Sequence, residues 1–120
     1  MTATIEKISA ITLKVANMGV SLRFYRDVLG MKLLYGRPDA YFSSLRTSET
    51  EFPILNLEQG RIANRWGRMI FHVADVDAFW TSPKEKGFDP DIPQDASWGE
   101  RYFHLTDPNG HELSFAQLLT

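Results

Sequence analysis

Three histidines and the carboxylates near them are the residues of this 120-residue chain that are best suited to acid–base chemistry or metal binding. His111 and Glu112 begin like the zinc-protease motif HExxH, but its second histidine would fall at Phe115, so the match fails. His72, His104 and Glu112 remain as a conceivable metal site, and either histidine as a general base. Polar residues that line a wet groove are the commoner arrangement. His111, beside a turn, is predicted to lie on the surface.

Alternation with a period of two predicts the strands that position these side chains. Tyr102 and His104 alternate with Phe103 and Leu105, so the two polar rings face away from the two apolar side chains. Phe71 and Phe115 fall at core positions of other strands by the same rule. Applied to those strands and to one further strand, it gives a polar face that contains Asn56, Glu58, Arg68, His72, Glu112 and Ser114.

Two of these polar features have a structural alternative. Lys14 or Arg68 paired with Glu58 or Glu112 would form a network of ion pairs that serves the fold instead of a ligand. Trp98, like Trp66, begins a predicted strand and suits stacking on a flat ligand, but edge-strand packing at a dimer interface would explain both tryptophans equally well.

A hairpin at residues 98–115 is the best-defined local feature. Its turn is Asp107-Pro108-Asn109-Gly110, in which the aspartate can accept from nearby backbone amides and the proline fixes φ at the second position. Residues 59–65 are predicted to be a linker. Residues 88–96, rich in proline and aspartate, are predicted to hold at most one short edge strand.

An internal repeat organises the rest of the chain. The first copy reads as a strand at 8–16, a short helix capped by Asn17, and strands at 31–35, 40–45 and 52–57. Its segment LKVAN at position 13 returns as FHVAD at position 71, with Asp75 in the place of the cap. Pro83 would lie inside the second helix, so we expect a kink there, or two short helices.

Charge and composition exclude several classes of partner. The 13 Lys and Arg residues against 15 Asp and Glu residues give a net charge of −2 without a run of like charge, which disfavours binding to nucleic acid or to a membrane surface. There is no run approaching the ~20 apolar residues of a membrane span. We therefore expect a cytoplasmic protein. The absence of cysteine excludes disulfides and thiolate ligands.

The closing hairpin and the first repeat carry a family resemblance. The segments WGxRxF from position 98, DPxG from position 107 and FYRDVLGM from position 24 resemble the vicinal oxygen chelate superfamily of glyoxalases, bleomycin resistance proteins and extradiol dioxygenases, most closely the bleomycin resistance branch. The resemblance implies a single α+β domain of two βαβββ repeats, at about 5–58 and 66–117. Their cupped mixed β-sheets would carry helices outside and a ligand on the concave face, usually within a homodimer.

The resemblance also fixes where the superfamily's divalent metal would be bound. The four ligand positions hold Ala10, Asn56, Arg68 and Ser114. Alanine offers no ligand, arginine brings a positive charge, and the other two are weak neutral donors. We therefore expect no metal and no cofactor.

The resemblance to the bleomycin resistance branch implies a metal-free binding protein that sequesters an antibiotic-like, aromatic or multiply hydrogen-bonding compound. The predicted site has Trp98, Tyr102 and His104 on one wall, Asn56, Arg68 and His72 on the other, and Glu112 and Ser114 on the same face. Two alternatives stay open. One is a lyase or dioxygenase with a shifted metal site or none, and the other is a structural or regulatory dimer without a ligand.

Overall fold

The structure, a computed structural model, describes residues 3–119. The chain divides into two compact units, Met1–Ile62 and Ala63–Thr120. The division falls inside the segment 59–65 that the sequence predicts as a linker. Each unit contains one four-stranded sheet and is described by itself.

The first unit has the predicted β-α-β-β-β order. Its elements are β1 (Ala10–Val15), α1 (Met18–Leu22, continued by a π-helical segment Arg23–Val28), β2 (Lys32–Tyr35), β3 (Phe42–Arg46) and β4 (Ile54–Gln59). The sheet order is β1-β4-β3-β2, with β1 parallel to β4 and the other pairs antiparallel. Helix α1 begins after Asn17, whose side chain accepts a hydrogen bond from the amide of Val20 at 3.0 Å.

The second unit repeats this order. Its elements are β5 (Arg68–His72), α2 (Val76–Glu85), β6 (Gln94–Asp95), β7 (Glu100–Thr106) and β8 (Glu112–Leu118). The sheet order β5-β8-β7-β6 again pairs the first strand with the last in parallel. Asp75 caps α2 as Asn17 caps α1, by accepting from the amide of Ala78 at 3.0 Å. The predicted α+β class with two βαβββ repeats is confirmed, with strand bounds that differ by a few residues.

Apolar side chains at the predicted core positions fill the inner face of each sheet. In the second unit, the rings of Phe71, Phe79 and Phe103 each stack on Phe115, with centroid distances of 5.3, 5.0 and 5.0 Å. The buried side chains of the first unit include Leu13, Val15, Phe24, Tyr25, Leu45 and Leu57. Burial of this apolar face leaves the polar residues of the same strands on the opposite face.

Helix α2 excludes one of the two alternatives that the sequence leaves open at Pro83. It is one helix from Val76 to Glu85 with Pro83 inside it, so the alternative of two short helices is wrong. Pro83 stands near the end of the helix, where the chain soon turns away at Gly87, with φ +88°. A proline so near the C-terminus removes a hydrogen bond from a turn that is about to finish, which limits its cost.

The closing turn forms as predicted, but His111 beside it does not lie on the surface. The Asp107 carboxylate accepts from the amides of Asn109 and His111, both at 2.8 Å, and the amide of Gly110 donates to the Asp107 carbonyl. His111 is fully buried and its Nδ1 accepts from Nε1 of Trp66 at 2.8 Å. The prediction of a surface histidine is wrong because its hydrogen-bond partners replace water.

Among residues 3–119, no helix combines the length and the apolar character that crossing a membrane requires.

Candidate functional site

The polar face of the second sheet brings together side chains from β5, β8 and β7. Arg68 is opposite Glu112, which is opposite Thr106, and the next row joins Ile70, Ser114 and His104. Neighbouring strands lie ~4.8 Å apart, so side chains of one row and of adjacent rows are within hydrogen-bonding reach when they are long. The arginine of β5 is long enough to reach both of the other strands.

Arg68 is the centre of a hydrogen-bond network on this face. Its Nη1 atom lies 3.0 Å from Nδ1 of His104, and it donates to Oγ of Ser114 at 3.1 Å and to the Leu113 carbonyl at 3.2 Å. Its Nη2 atom donates to Oε1 of Glu112 at 3.0 Å. The guanidinium is therefore held on both sides and has a fixed orientation.

His104 is held by contacts on several sides. Its Nδ1 lies 2.7 Å from Oγ of Ser114, and the ring of Tyr102 is 5.0 Å away between centroids. Desolvation is the main cause that lowers the pKa of His104 below its usual value, followed by the positive charge of Arg68, while Asp91 and Glu112 act in the opposite direction. The imidazole is therefore expected to be neutral near pH 7.

A pocket of about 280 Å³ opens beside this network. The segment before β6 contributes Asp89 and Asp91 to its lining, and the strands contribute Arg68, His104, Leu105, Thr106 and Glu112. Asp91 is fixed at its backbone, since its amide donates to the His104 carbonyl at 3.0 Å and its carbonyl accepts from Nε1 of Trp80 at 2.8 Å.

Sequence reasoning missed four of these lining residues, one of which, Leu105, it assigned to the core. Thr106 shares the parity of Tyr102 and His104, so the alternation carried a usable signal for it. Asp89 and Asp91 lie in the stretch that sequence reasoning described only as rich in proline and aspartate. Irregular backbone has no periodicity, and nothing in the sequence indicates that this segment bonds to β7.

A series of aromatic rings continues from His104 along β7 to Trp98, which lies two residues before the strand begins. The rings of Tyr102 and Trp98 are stacked with centroids 5.9 Å apart, and Trp98 is 68% exposed. The hydroxyl of Tyr102 accepts from Nε2 of Gln94 at 2.9 Å, and Nε1 of Trp98 donates to Glu100 at 2.8 Å. Both rings are thereby oriented while the tryptophan surface stays accessible.

The predicted site residues fall into three groups: a bonded network, two stacked rings that extend it, and two residues that belong to neither, His72 and Asn56. Arg68, His104, Glu112 and Ser114 form one bonded network, and Trp98 and Tyr102 extend it as stacked rings. Arg68 bonds to His104 within the same sheet, so the predicted division into two walls does not hold for this pair. His72 is exposed at the far end of β5, four residues or about 13 Å from Arg68 along the strand.

Asn56 lies on β4 of the first unit. Its side-chain oxygen accepts from Oγ of Ser44 at 2.7 Å, and its side-chain nitrogen donates to Oγ1 of Thr12 at 3.3 Å. On the same face, Lys14 forms an ion pair with Glu58, and this hydrogen bond is the main cause that raises the pKa of Lys14. The ion pairs that the sequence left open as a structural network are thus present in both units. In the second unit, Arg68 bonds Glu112 at the border of the pocket.

The side chains at the family's metal positions do not fit a divalent cation. At two positions where the family resemblance places metal ligands, the Arg68 guanidinium donates to the Ser114 hydroxyl, so a positive charge already occupies this part of the face. Among residues 3–119, no three His, Asp or Glu side chains converge as ligands. The shifted set is not formed, because His72 lies too far along β5 from Glu112, which is opposite Arg68.

Comparison with known proteins establishes the family. The sequence model of the Glyoxalase/Bleomycin resistance protein/Dioxygenase superfamily matches residues 7–115, and the chain belongs to this superfamily. It is 30% identical over 122 residues to metallothiol transferase FosB of Staphylococcus epidermidis. This match covers 91% of this chain and 81% of that protein.

Two solved structures show the same fold. The integron cassette protein HFX_CASS4 from the Halifax Harbour sewage outfall metagenome is 22% identical, with a TM-score of 0.80 over 95% of this chain and 100% of that one. TnmS3, an antibiotic binding protein from Streptomyces sp. CB03234, is 20% identical, with a TM-score of 0.78 over 98% of this chain and 99% of that one. The superfamily thus includes both binding proteins and enzymes.

Proposed function

We propose that this protein binds a small organic molecule without a divalent metal, on the polar face of its second sheet, and sequesters it. The observation that carries the proposal is the Arg68 guanidinium bonded to His104, Ser114 and Glu112 beside an open pocket. This arrangement is polar, oriented and accessible. A small number of fixed polar groups in a concavity is typical of a ligand site.

Arginine at a family metal position changes what the site offers. A metal would supply an electrophile with open coordination positions, whereas the guanidinium supplies hydrogen-bond donors in a fixed plane. Two of the surrounding groups, Ser114 and Glu112, accept from it and hold that plane in place. The site is therefore better suited to recognising polar groups on a ligand than to polarising a bond for cleavage.

The stacked rings of Trp98 and Tyr102 support an aromatic or otherwise flat ligand. An exposed, oriented aromatic surface provides a large contact area at low entropic cost. The fold neighbour TnmS3 is an antibiotic binding protein, which makes antibiotic-like compounds the first class to screen. Sequestration alone, with no reaction, would be sufficient for resistance of the bleomycin resistance type.

A second candidate function is group transfer, favoured by the 30% identity to metallothiol transferase FosB. Such an activity would require a metal bound at residues other than those at the family positions. Turnover of a thiol and an electrophilic antibiotic in the presence of Mn²⁺ or Zn²⁺, abolished by chelator, would establish this candidate and refute simple sequestration.

We also propose a homodimer in the cytoplasm. Strands β1 and β5 stand at one edge of their sheets, and an exposed edge is commonly covered by another strand or chain. Light scattering at micromolar concentration should give twice the chain mass of 13.7 kDa, and a monomer mass would refute the dimer. The location is testable by cell fractionation.

The binding proposal is tested by a compound screen that uses tryptophan fluorescence. Trp98 lies on the proposed site, so a bound aromatic compound should quench its emission, and Trp98→Phe identifies its share against Trp66 and Trp80. Binding should be unchanged by excess EDTA. If every compound that binds loses its affinity in EDTA, or if an antibiotic-like library contains no binder, the proposal is wrong.

A further inference from the structure

We infer that Arg68 and Ser114 fix His104 as the neutral tautomer with its proton on Nε2, so that it donates a hydrogen bond to a neutral acceptor on the ligand, such as a carbonyl oxygen. This inference rests on the proposed binding function and specifies one of its contacts. It assigns His104 to recognition and not to general-base catalysis.

The first step is the direction of the bond between Arg68 and His104. A guanidinium has only donors and a positive charge, so the 3.0 Å contact between Nη1 and Nδ1 favours an unprotonated Nδ1, because an N–H there would direct its hydrogen toward a cation. A neutral imidazole with an unprotonated Nδ1 carries its proton on Nε2. The positive charge of the partner therefore favours the tautomer protonated on Nε2 over the one protonated on Nδ1.

The second step is the role of Ser114. Its Oγ accepts from Nη1 of Arg68 at 3.1 Å, so its own proton remains available for Nδ1 of His104, which lies 2.7 Å away. Ser114 thus donates to the lone pair of Nδ1, and the guanidinium lies beside it. Because this is the only lone pair in the ring plane of the neutral imidazole, His104 retains no basic nitrogen for proton abstraction.

The third step concerns the kind of acceptor. Asp89, Asp91 and Glu112 border the same pocket, and Glu112 already compensates the positive charge of Arg68. A carboxylate or phosphonate on the ligand would lie near these three negative charges with little cationic charge left to compensate it. A neutral carbonyl or ether oxygen avoids this repulsion while still accepting from Nε2.

The tautomer is measured directly by nitrogen-15 NMR of the histidine side chains in the intact protein. We expect His104 at neutral pH to show the coupling pattern of an imidazole protonated on Nε2. His111 provides an internal comparison because its Nδ1 accepts from Trp66, a group that can only donate. Signals are assigned with His104→Asn and His72→Asn. A proton on Nδ1 of His104, or an imidazolium at neutral pH, would overturn the inference.

The acceptor preference is measured in the same spectra with a matched pair of probes, benzamide and benzoate. We expect benzamide to shift the Nε2 signal of His104 and benzoate to require at least about tenfold more compound for the same shift. An equal or stronger effect of benzoate, or no shift with either probe, would overturn it. The fluorescence screen does not depend on the tautomer. If a compound binds in EDTA but the NMR spectrum shows His104 as an imidazolium, this inference alone is defeated. The expected tautomer without any binder would defeat the proposed function.

Discussion

Nη1 of Arg68 lies 3.0 Å from Nδ1 of His104, although the two residues are 36 positions apart in the chain. Each residue restricts the other. The positive charge of the arginine disfavours a proton on Nδ1, and the histidine and Ser114 lie at one edge of the guanidinium while Glu112 holds the other. The pair therefore behaves as one recognition unit whose parts can be removed separately.

Replacing Arg68 is expected to affect binding more than folding. Arg68→Ala removes the charge-assisted hydrogen bonds between the guanidinium and a bound compound, which are worth about 1.5–3 kcal/mol. The Kd of a screened compound should therefore rise by about tenfold or more. Its half-exposed ion pair with Glu112 contributes at most about 1 kcal/mol to stability. Titration calorimetry and thermal melting measure the two effects. Arg61→Ala, at an exposed arginine outside the pocket, is the control and should change neither.

Folding stability should depend on the protonation of His104. Its pKa is lowered in the folded state, so as pH falls below about 6.5 the unfolded chain binds a proton before the folded one does, and stability decreases. We expect the melting temperature to fall between about pH 7 and about pH 5, and His104→Gln to show a smaller fall over this range. A steeper fall in the variant than in the parent would contradict the assigned direction.

Local patterns in the sequence predict most of the fold. The alternation of Tyr102 and His104 with Phe103 and Leu105, and the paired caps Asn17 and Asp75, depend on short-range geometry that each segment carries itself. The predicted placement of Asn56 and Arg68 on opposite walls of one site does not rest on local geometry, because it depends on how separate sheets are arranged. Parity assigns a residue to a face but does not say which faces meet.

The errors have a common physical origin in contacts between distant segments. His111 is buried because Trp66, 45 positions away, donates to its ring, and no periodicity reports such a contact. Asp91 joins the pocket because Trp80 and the His104 carbonyl bind its backbone. The polarity of His111 carries no signal for its burial, because a buried polar residue and an exposed one look alike in sequence.

Phe103 tests the core that carries the polar face. Its side chain is 1% exposed and stacks on Phe115, so Phe103→Ala should lower the free energy of unfolding by about 3–5 kcal/mol. Phe103→Leu keeps most of the volume and should cost less than about 1.5 kcal/mol. Urea denaturation measures both. Equal losses in the two variants would show that ring volume is not what stabilises this position.

The two repeats should respond alike to removal of their helix caps. Asn17→Ala and Asp75→Ala each remove one 3.0 Å bond to a helix amide and should each cost about 1 kcal/mol. Serine at either position keeps an acceptor and should restore most of the loss. Urea denaturation of the four variants measures this, and a loss at one cap with none at the other would contradict their equivalence.

The central claim is that a small molecule binds on the polar face of β5, β7 and β8 without metal. Its most direct test is chemical-shift mapping of the backbone amides during titration with a screened compound in EDTA. The account predicts that the largest shifts fall on Arg68, Tyr102, His104 and Glu112 and that Arg68→Ala requires about tenfold more compound, or above, for the same shifts at the three remaining residues. Largest shifts at α2 or in residues 3–62, or an unchanged titration curve in that variant, would contradict it.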